Sequence, residues 1–209
     1  MSTRVLGVDP GLTRCGIGIV DVAPNRRATL VHYGVIRTSP DMSIDARLLA
    51  IGEGIDAAIV EHAPTAMAVE RVFAQQNLST VMGTAQASGL ALYSAAKHGI
   101  PIGMHTPSEV KASVTGYGNA EKKQVQQMVA RILGLAELPQ PADAADALAL
   151  ALCHAWGGLV PVGARPHGSR TPVSAPTSGN LTPAQQAWRN AEQAGVASPR
   201  NTRTGRFGK

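Results

Sequence analysis

The sequence predicts an α/β protein in which helices cover both faces of one mixed β-sheet. Three strand-like segments come first along the chain, and further strands then alternate with helical segments, which is the order expected of such a sheet. The chain has 209 residues, of which 44% are hydrophobic and only 16% are charged. We therefore expect residues 1–158 to bury a core and to fold as one domain.

The first three segments are expected to form a meander. An apolar run at residues 4–8 ends at the turn that begins with Asp9 and Pro10. Segments rich in glycine and β-branched residues follow at 15–22 and 29–37. Short connections of this kind favour strands that pair in sequence order.

Helices and strands alternate in the remainder of the domain. Apolar residues at helical spacing predict an amphipathic helix over 43–61. The elements predicted after it are a strand at 66–69 that ends at Glu70, a helix at 78–97, a strand at 100–105, a helix at 120–133 capped by Asn119, and a last helix at 142–156.

The C-terminal part of the chain differs in charge and composition. Residues 1–159 contain twelve Lys and Arg against thirteen Asp and Glu, whereas residues 160–209 contain seven basic residues and one acid, Glu192. Its abundant Pro, Gly, Ser and Thr cannot bury enough apolar surface to offset the entropy of ordering. We therefore expect residues 159–209 to be a basic, disordered tail, which suits an anionic partner and a solubilising role equally well.

Several classes of protein are excluded by composition. No apolar run approaches the roughly 20 residues that span a bilayer, and the N-terminus lacks the basic and apolar pattern of a secretory signal. Cys15 and Cys153 are too few for a disulfide scaffold or a cysteine-rich zinc site. We expect a cytoplasmic protein with no membrane partner.

Two acidic residues stand where buried strands end. Asp9 follows the first strand and Glu70 follows the strand at 66–69. Strand ends are where ligands and chemistry gather in open α/β sheets. Taken alone, however, Asp9 is better explained by an Asx turn before Pro-Gly, and Glu70 by a solvated charge at the start of a loop.

The last helix carries the most specific signal. Asp143 and Asp146 lie three residues apart in a segment made almost wholly of Ala and Leu, so they share one face of a buried helix. The helix dipole accounts for an acid in the first turn, at about 0.3–1 kcal/mol, but explains Asp146 less well. Two adjacent carboxylates on a buried stripe need a cation or strong donors to stay ionised.

Together these four carboxylates predict a site for divalent metal. Oxygen ligands suit Mg²⁺, with Mn²⁺ able to replace it, better than zinc, and the histidines show no paired zinc-binding spacing. An acidic cluster that holds two ions about 3.5–4 Å apart is the arrangement for in-line attack on a phosphodiester. We therefore expect a metal-dependent hydrolase with two ions per active site.

The order and spacing of four motifs resemble the RuvC family of bacterial Holliday junction resolvases. These motifs are Asp9-Pro10-Gly11 with Gly16, Glu70-Arg71-Val72-Phe73, Lys111 with Gly116-x-Gly118 and Lys122, and Asp143-Ala-Ala-Asp146. The resemblance covers residues 3–156, and the tail has no counterpart within it. It implies a ribonuclease-H-like fold with a five-stranded mixed sheet. It also implies a homodimer that makes paired nicks in opposing strands of a four-way DNA junction, and partnership with the RuvA–RuvB branch-migration complex.

The resemblance also implies roles for individual residues. Asp9, Glu70, Asp143 and Asp146 match the metal-binding catalytic acids of the family. Phe73 matches the aromatic residue that stacks at the opened centre of the junction, and Lys111 and Lys122 match basic residues near the scissile phosphate, of which we expect Lys122 to be catalytic.

The residues themselves support a DNA-binding surface. Phe73 lies in a polar segment where a core position is hard to arrange, although it could instead fold back onto the next helix. Stacking on an unpaired base is worth about 1–3 kcal/mol. Lys111, Lys122 and Lys123 flank Gly116, Tyr117 and Gly118, which predicts a phosphate-gripping loop, and a merely solvated helix start would look similar.

Other interpretations remain open on the sequence alone. The segment from Asp9 to Gly16 also resembles the first phosphate loop of ATP-using actin-like or sugar-kinase-like proteins, but no second such loop follows. The basic tail fits a non-catalytic junction-binding protein, and the acids alone would serve a related nuclease acting on RNA. The glycines of the helix at 78–97 indicate a close neighbour, which is either the sheet or a second copy of the chain.

Overall fold

The computed structural model describes residues 2–71 and 78–157. Five strands and five helices lie in these ranges: β1 (Thr3–Asp9), β2 (Arg14–Val22), β3 (Ala28–Arg37), α1 (Ile44–His62), β4 (Ala66–Glu70), α2 (Leu78–Lys97), β5 (Ile102–His105), α3 (Pro107–Thr115), α4 (Lys122–Leu133) and α5 (Ala142–Gly157). Phe73 and the tail expected at 159–209 lie outside the described residues, so the predictions about them stay predictions.

The strands form one mixed sheet in the order β3-β2-β1-β4-β5. β1, β2 and β3 pair antiparallel in sequence order, which confirms the predicted meander. β4 pairs parallel to both β1 and β5. Because Val8 lies opposite Val69 in the parallel register of β1 and β4, Asp9 and Glu70 leave the sheet side by side.

Helices cover both faces of the sheet, as expected. Alternate residues of β1 point to opposite faces, so Val5 packs in a core with α3, α4 and α5, whereas Leu6 packs in a second core with α1 and α2. Both side chains are fully buried. Among the described helices, none has the length and apolar character needed to cross a bilayer.

Helix α5 lies directly on the sheet because small residues meet at the contact. A β-carbon added at Gly7, Gly16 or Gly18 would come closer than 3 Å to the backbone of α5. On the helix side the facing residues are largely alanines, and every residue from Ala147 to Leu152 is buried. This close approach fixes the N-terminal turn of α5, with its two acids, against the ends of β1 and β2.

Gly18→Ala tests this packing. The added methyl group would lie 2.6 Å from the backbone nitrogen of Leu148, so we expect a loss of about 1–3 kcal/mol or more in the free energy of unfolding. Gly34→Ala in β3 is the matched control, because its added carbon meets its nearest neighbour at an ordinary 3.6 Å. Urea denaturation measures both variants, and equal stabilities would contradict the proposed contact.

Two differences from the predicted elements involve the segment between β5 and α5. Helix α3 was not predicted, although the sequence Thr106-Pro107-Ser108-Glu109 is typical of a helix start. The Thr106 side chain accepts a hydrogen bond from the Glu109 backbone N–H, and the Glu109 side chain accepts one from the Thr106 backbone N–H. Pro107 lies in the first turn of the helix. Helix α4 begins at Lys122 rather than near Ala120. Its cap is Glu121, whose backbone donates to Gln124, so the predicted cap at Asn119 is wrong.

Candidate active site

The four predicted acids converge at the carboxyl ends of β1 and β4. Asp9 pairs with Gly16 of β2, and Gly16 lies against the Asp143 carbonyl at the start of α5. An added β-carbon at Gly16 would also lie 3.3 Å from the Asp9 β-carbon, so the Asp9 side chain points to the α5 face of the sheet. Two strand ends and one helix start thus bring together residues that are more than 130 positions apart in sequence.

An open cleft of about 360 Å³ lies over these strand ends. Three of the acids line it: Asp9, Glu70 and Asp146. Two lysines complete its polar wall, and the remaining wall is apolar, formed by Pro107, Val110, Val125, Ala149 and Leu150. The lysines are Lys111 from α3 and Lys122 from the first turn of α4. The cleft therefore has a strongly acidic floor with basic groups at one side.

The strand-end acids are unusually hard to ionise in the protein alone. Burial raises the pKa of Asp9 to about 8, helped by the negative charge of Glu70 and, after it, by the two acids of α5. Burial also raises the pKa of Glu70, although a hydrogen bond with Asp9 opposes the shift. Asp9, as the protonated partner, donates that hydrogen bond. Such a pair of carboxyl groups ionises fully only when a further cation compensates its charge.

The acids of α5 each contact a basic side chain. Lys122 Nζ lies 2.6 Å from Asp146 Oδ2, and Arg14 Nε lies 3.2 Å from Asp143 Oδ2. Burial opposes the charge of Lys122, but its hydrogen bond with Asp146 holds the Lys122 pKa above the ordinary value. Two positive groups therefore partly balance the four acids, and both belong to exposed side chains that are able to move.

The donor set fits a divalent metal by its chemistry. Among the described residues, three carboxylates line the cleft, and no histidine or cysteine does. Together with Asp143 at the start of α5, they supply the hard oxygen ligands that Mg²⁺ and Mn²⁺ prefer. Within residues 2–71 and 78–157, no three metal-ligating side chains already stand at ligating distance from one point. Asp143 and Asp146 would have to exchange their contacts with Arg14 and Lys122 for contacts with an ion.

The structure separates the predicted DNA-binding residues into two groups. Lys111 and Lys122 line the cleft, whereas Lys123 is exposed and does not line it. Tyr117 is half exposed, and its hydroxyl donates to Gln124 Oε1 at 2.6 Å. Gly116 ends α3 in the left-handed conformation, which supports a turn in the predicted loop.

Two features of the site were not predicted from the sequence. Arg14 gave no signal, because a lone arginine after a turn is ordinary. His105 and His154 form a buried pair beneath the cleft, with 2.9 Å between His105 Nε2 and His154 Nδ1. Burial lowers the pKa of His154 to about 4, and His154 fits only because Gly103 leaves room for its ring. His105 is the register partner of Glu70, so this buried pair supports the strand end that carries the acid.

Comparison with known proteins shows the family to which this chain belongs. Residues 5–154 match the family described as Crossover junction endodeoxyribonuclease RuvC. The protein of that name from Leifsonia xyli subsp. xyli is 60% identical over 196 residues, which cover 93% of this chain and 94% of the relative. That from Clavibacter michiganensis subsp. michiganensis is 56% identical over 198 residues, covering 91% of this chain and 97% of the relative. These matches extend past residue 156, which corrects the expectation that the tail has no counterpart.

A solved structure gives the same result. The structure described as T. thermophilus RuvC in complex with Holliday junction substrate matches with a TM-score of 0.71 and 37% sequence identity, over 74% of this chain and 94% of that chain. The shared five-stranded mixed sheet with flanking helices confirms the predicted ribonuclease-H-like fold. By its fold and by its sequence, the chain belongs to the RuvC family of crossover junction endodeoxyribonucleases, which are metal-dependent nucleases.

Proposed function

We propose that this chain hydrolyses phosphodiester bonds at four-way DNA junctions and that Asp9, Glu70, Asp143 and Asp146 are its metal-binding catalytic acids. The convergence of these acids at one edge of the sheet, with three of them lining a single cleft, carries this proposal. Paired nicks in opposing strands would resolve the junction during recombination and repair.

The acids would hold two Mg²⁺ ions, with Mn²⁺ able to replace them. Two bound divalent ions supply an activated water and stabilise the leaving 3′ oxygen of a phosphodiester. Asp9 interacts electrostatically with the other three acids. It would be the residue to contact both ions, with Glu70 helping to hold one ion and Asp143 and Asp146 the other. The apolar wall around Val110 and Leu150 lowers the local polarity beside the acids, which strengthens these charge interactions.

The basic groups of the cleft would hold the DNA strand. Lys111 and Lys122 both line the cleft, where they would contact phosphates near the scissile bond. Lys122 is the residue placed to offset the charge that develops on the transferred phosphate. Tyr117 and Lys123 would contact the backbone outside the cleft, and Phe73 would stack at the centre of the junction.

Two equivalent sites on one branched substrate require a two-fold dimer. Helix α2 offers a surface for it. A β-carbon at Gly83 would touch Leu12, but one at Gly89 would meet no atom of residues 2–71 and 78–157 within 4 Å. A glycine inside a helix costs about 1 kcal/mol, and the fold itself does not explain this one. Met82 and Tyr93 on the same helix are exposed. We propose α2 as the dimer contact, in a cytoplasmic protein that acts with the RuvA–RuvB complex.

Cleavage of a labelled synthetic four-way junction in Mg²⁺, beside a linear duplex and a single-stranded RNA of matched sequence, tests the function. We expect paired nicks in the junction only. ATP hydrolysis without DNA would favour the kinase-like alternative. Removing residues 160–209 distinguishes the nuclease from a non-catalytic junction-binding protein. A protein that binds through its tail would lose its affinity for the junction, whereas the nuclease would still cleave it.

Lys122→Ala is expected to slow junction cleavage by about 10²–10³-fold, the usual cost of removing one positioned electrostatic group from an active site. The effect should appear in the single-turnover rate rather than in junction affinity. Lys123→Ala is the matched control, because it removes the same charge from the adjacent residue outside the cleft. Equal losses in the two variants would contradict the role given to Lys122.

A further inference from the structure

Arg14 holds a position in the site that the proposed chemistry does not yet use. It is the first residue of β2, and its Nε lies 3.2 Å from Asp143 Oδ2. The side chain of Asp143 is 19% exposed, whereas that of Arg14 is 55% exposed. The guanidinium therefore reaches from the solvent side onto an acid that is largely enclosed.

Asp143 also differs from the other three acids in its position. Asp9, Glu70 and Asp146 line the cleft, but Asp143 does not. A carboxylate oxygen that accepts from a guanidinium is less available to a metal ion, since both cations compete for the same lone pairs. Arg14 therefore contacts the carboxylate oxygen of Asp143 that a metal ion on the α5 side of the cleft would need as a ligand.

An arginine in this place has a second partner available. Its five donors match the oxygens of a phosphate as well as those of a carboxylate, and its side chain is already more than half exposed beside the cleft. A guanidinium displaced from Asp143 would stay at the cleft edge, where a DNA strand bound over the acids would pass. Lys122 would contact the scissile phosphate from inside the cleft, where it also contacts Asp146, whereas Arg14 would contact the strand at the edge of the cleft.

We propose that Arg14 is a positioning residue that couples metal binding to DNA binding. It pairs with Asp143 in the metal-free protein and turns to a phosphate of the junction when a divalent cation takes Asp143. This inference rests on the proposed function, in which Asp143 is a metal ligand. Because coupling between two ligands is reciprocal, bound junction must then tighten metal binding by the same factor by which metal tightens junction binding.

Mn²⁺ binding to the full chain without DNA, followed by the electron paramagnetic resonance signal of free Mn²⁺, tests the first half of the proposal. We expect Arg14→Gln to tighten Mn²⁺ binding about three- to fivefold, the scale of a half-exposed ion pair, and Arg14→Lys to lie between it and the unchanged protein. Arg37→Gln is the matched control, because Arg37 is the exposed register partner of Arg14 on β3. Unchanged or weakened binding in Arg14→Gln would overturn the proposal.

Junction binding tests the second half. On a junction with non-hydrolysable linkages at the scissile positions, Mn²⁺ should increase the affinity of the unchanged protein, and the increase should shrink several-fold in Arg14→Gln but not in Arg37→Gln. An equal increase in both variants would overturn the coupling role of Arg14. Asp143→Asn tests the proposed function separately from the role of Arg14. If this variant binds Mn²⁺ as tightly as the unchanged protein, Asp143 is not a metal ligand and the proposed function is wrong at this residue. If it binds Mn²⁺ more weakly but Arg14→Gln has no effect, only the inference about Arg14 is rejected.

Discussion

Replacing Asp9 with asparagine is expected to abolish junction cleavage, with a loss of at least about 10³-fold in the single-turnover rate. The amide keeps the shape of the side chain but removes the charge at the centre of the acid cluster. Asp9 lies next to Glu70 at the strand ends and interacts electrostatically with both acids of α5, so no other residue of the cluster is placed to replace it.

Junction affinity in the absence of metal should stay the same in this variant near neutral pH, because Asp9 already holds a proton in the metal-free protein, where its pKa is about 8. Quantitative gel-shift and rapid-quench assays measure the two properties separately. Glu53→Gln on the exposed side of α1 controls for the loss of one acid. An Asp9→Asn protein that still cleaves in Mg²⁺ at a comparable rate would refute the assignment.

The metal-free protein is expected to lose stability as the pH rises from about 4 to about 8. Asp9 has its pKa raised from 3.8 to about 8 by folding, mainly through burial. Between these values the folded state holds a proton that the unfolded state has released, so the free energy of unfolding falls with increasing pH. The pKa of Glu70 is raised in the same direction, which adds to the slope.

Asp9→Asn should remove most of this slope. Between about pH 5 and pH 8.5, we expect the free energy of unfolding of the variant to rise by about 2–4 kcal/mol relative to that of the unchanged protein. This gain is smaller than the full pKa shift of Asp9 implies, because residual solvent and structural rearrangement reduce the cost of ionising the buried acid. Urea denaturation in a chelating buffer measures both proteins. A divalent metal should reverse the trend in the unchanged protein and stabilise it more strongly at higher pH. Parallel pH profiles for the two proteins would show that Asp9 is not the strained acid.

Much of the fold was predictable because local patterns and long-range packing agree. The meander of β1 to β3 and the helical spacing of α1 follow from periodicity and turn residues, and the structure confirms them. Helix α3 was missed although its capping box and Pro107 were readable, since the helix is only nine residues long. What no local pattern shows is that Gly7 and Gly18 let α5 rest on the sheet, because that contact joins segments over 100 residues apart.

The acids of the site were predictable from the sequence, and Lys111 and Lys122 were expected from the family resemblance, whereas Arg14 and the histidine pair were not. Asp9 and Glu70 follow apolar strands, and the paired acids of α5 interrupt an Ala–Leu helix, so their positions are unusual in sequence. Arg14 became visible only through its contact with Asp143, which depends on how β2 meets the start of α5. The same holds for His105 and His154, which are unrelated in sequence and are brought together by the packing of α5 on β5.

A crystal of the protein soaked in Mn²⁺, with anomalous diffraction recorded at the manganese edge, tests the central claim most directly. We expect two anomalous peaks in the cleft, both within ligating distance of Asp9, with Glu70 near one and the acids of α5 near the other. Peaks confined to surface sites away from Asp9, or an empty cleft at saturating Mn²⁺, would contradict the account.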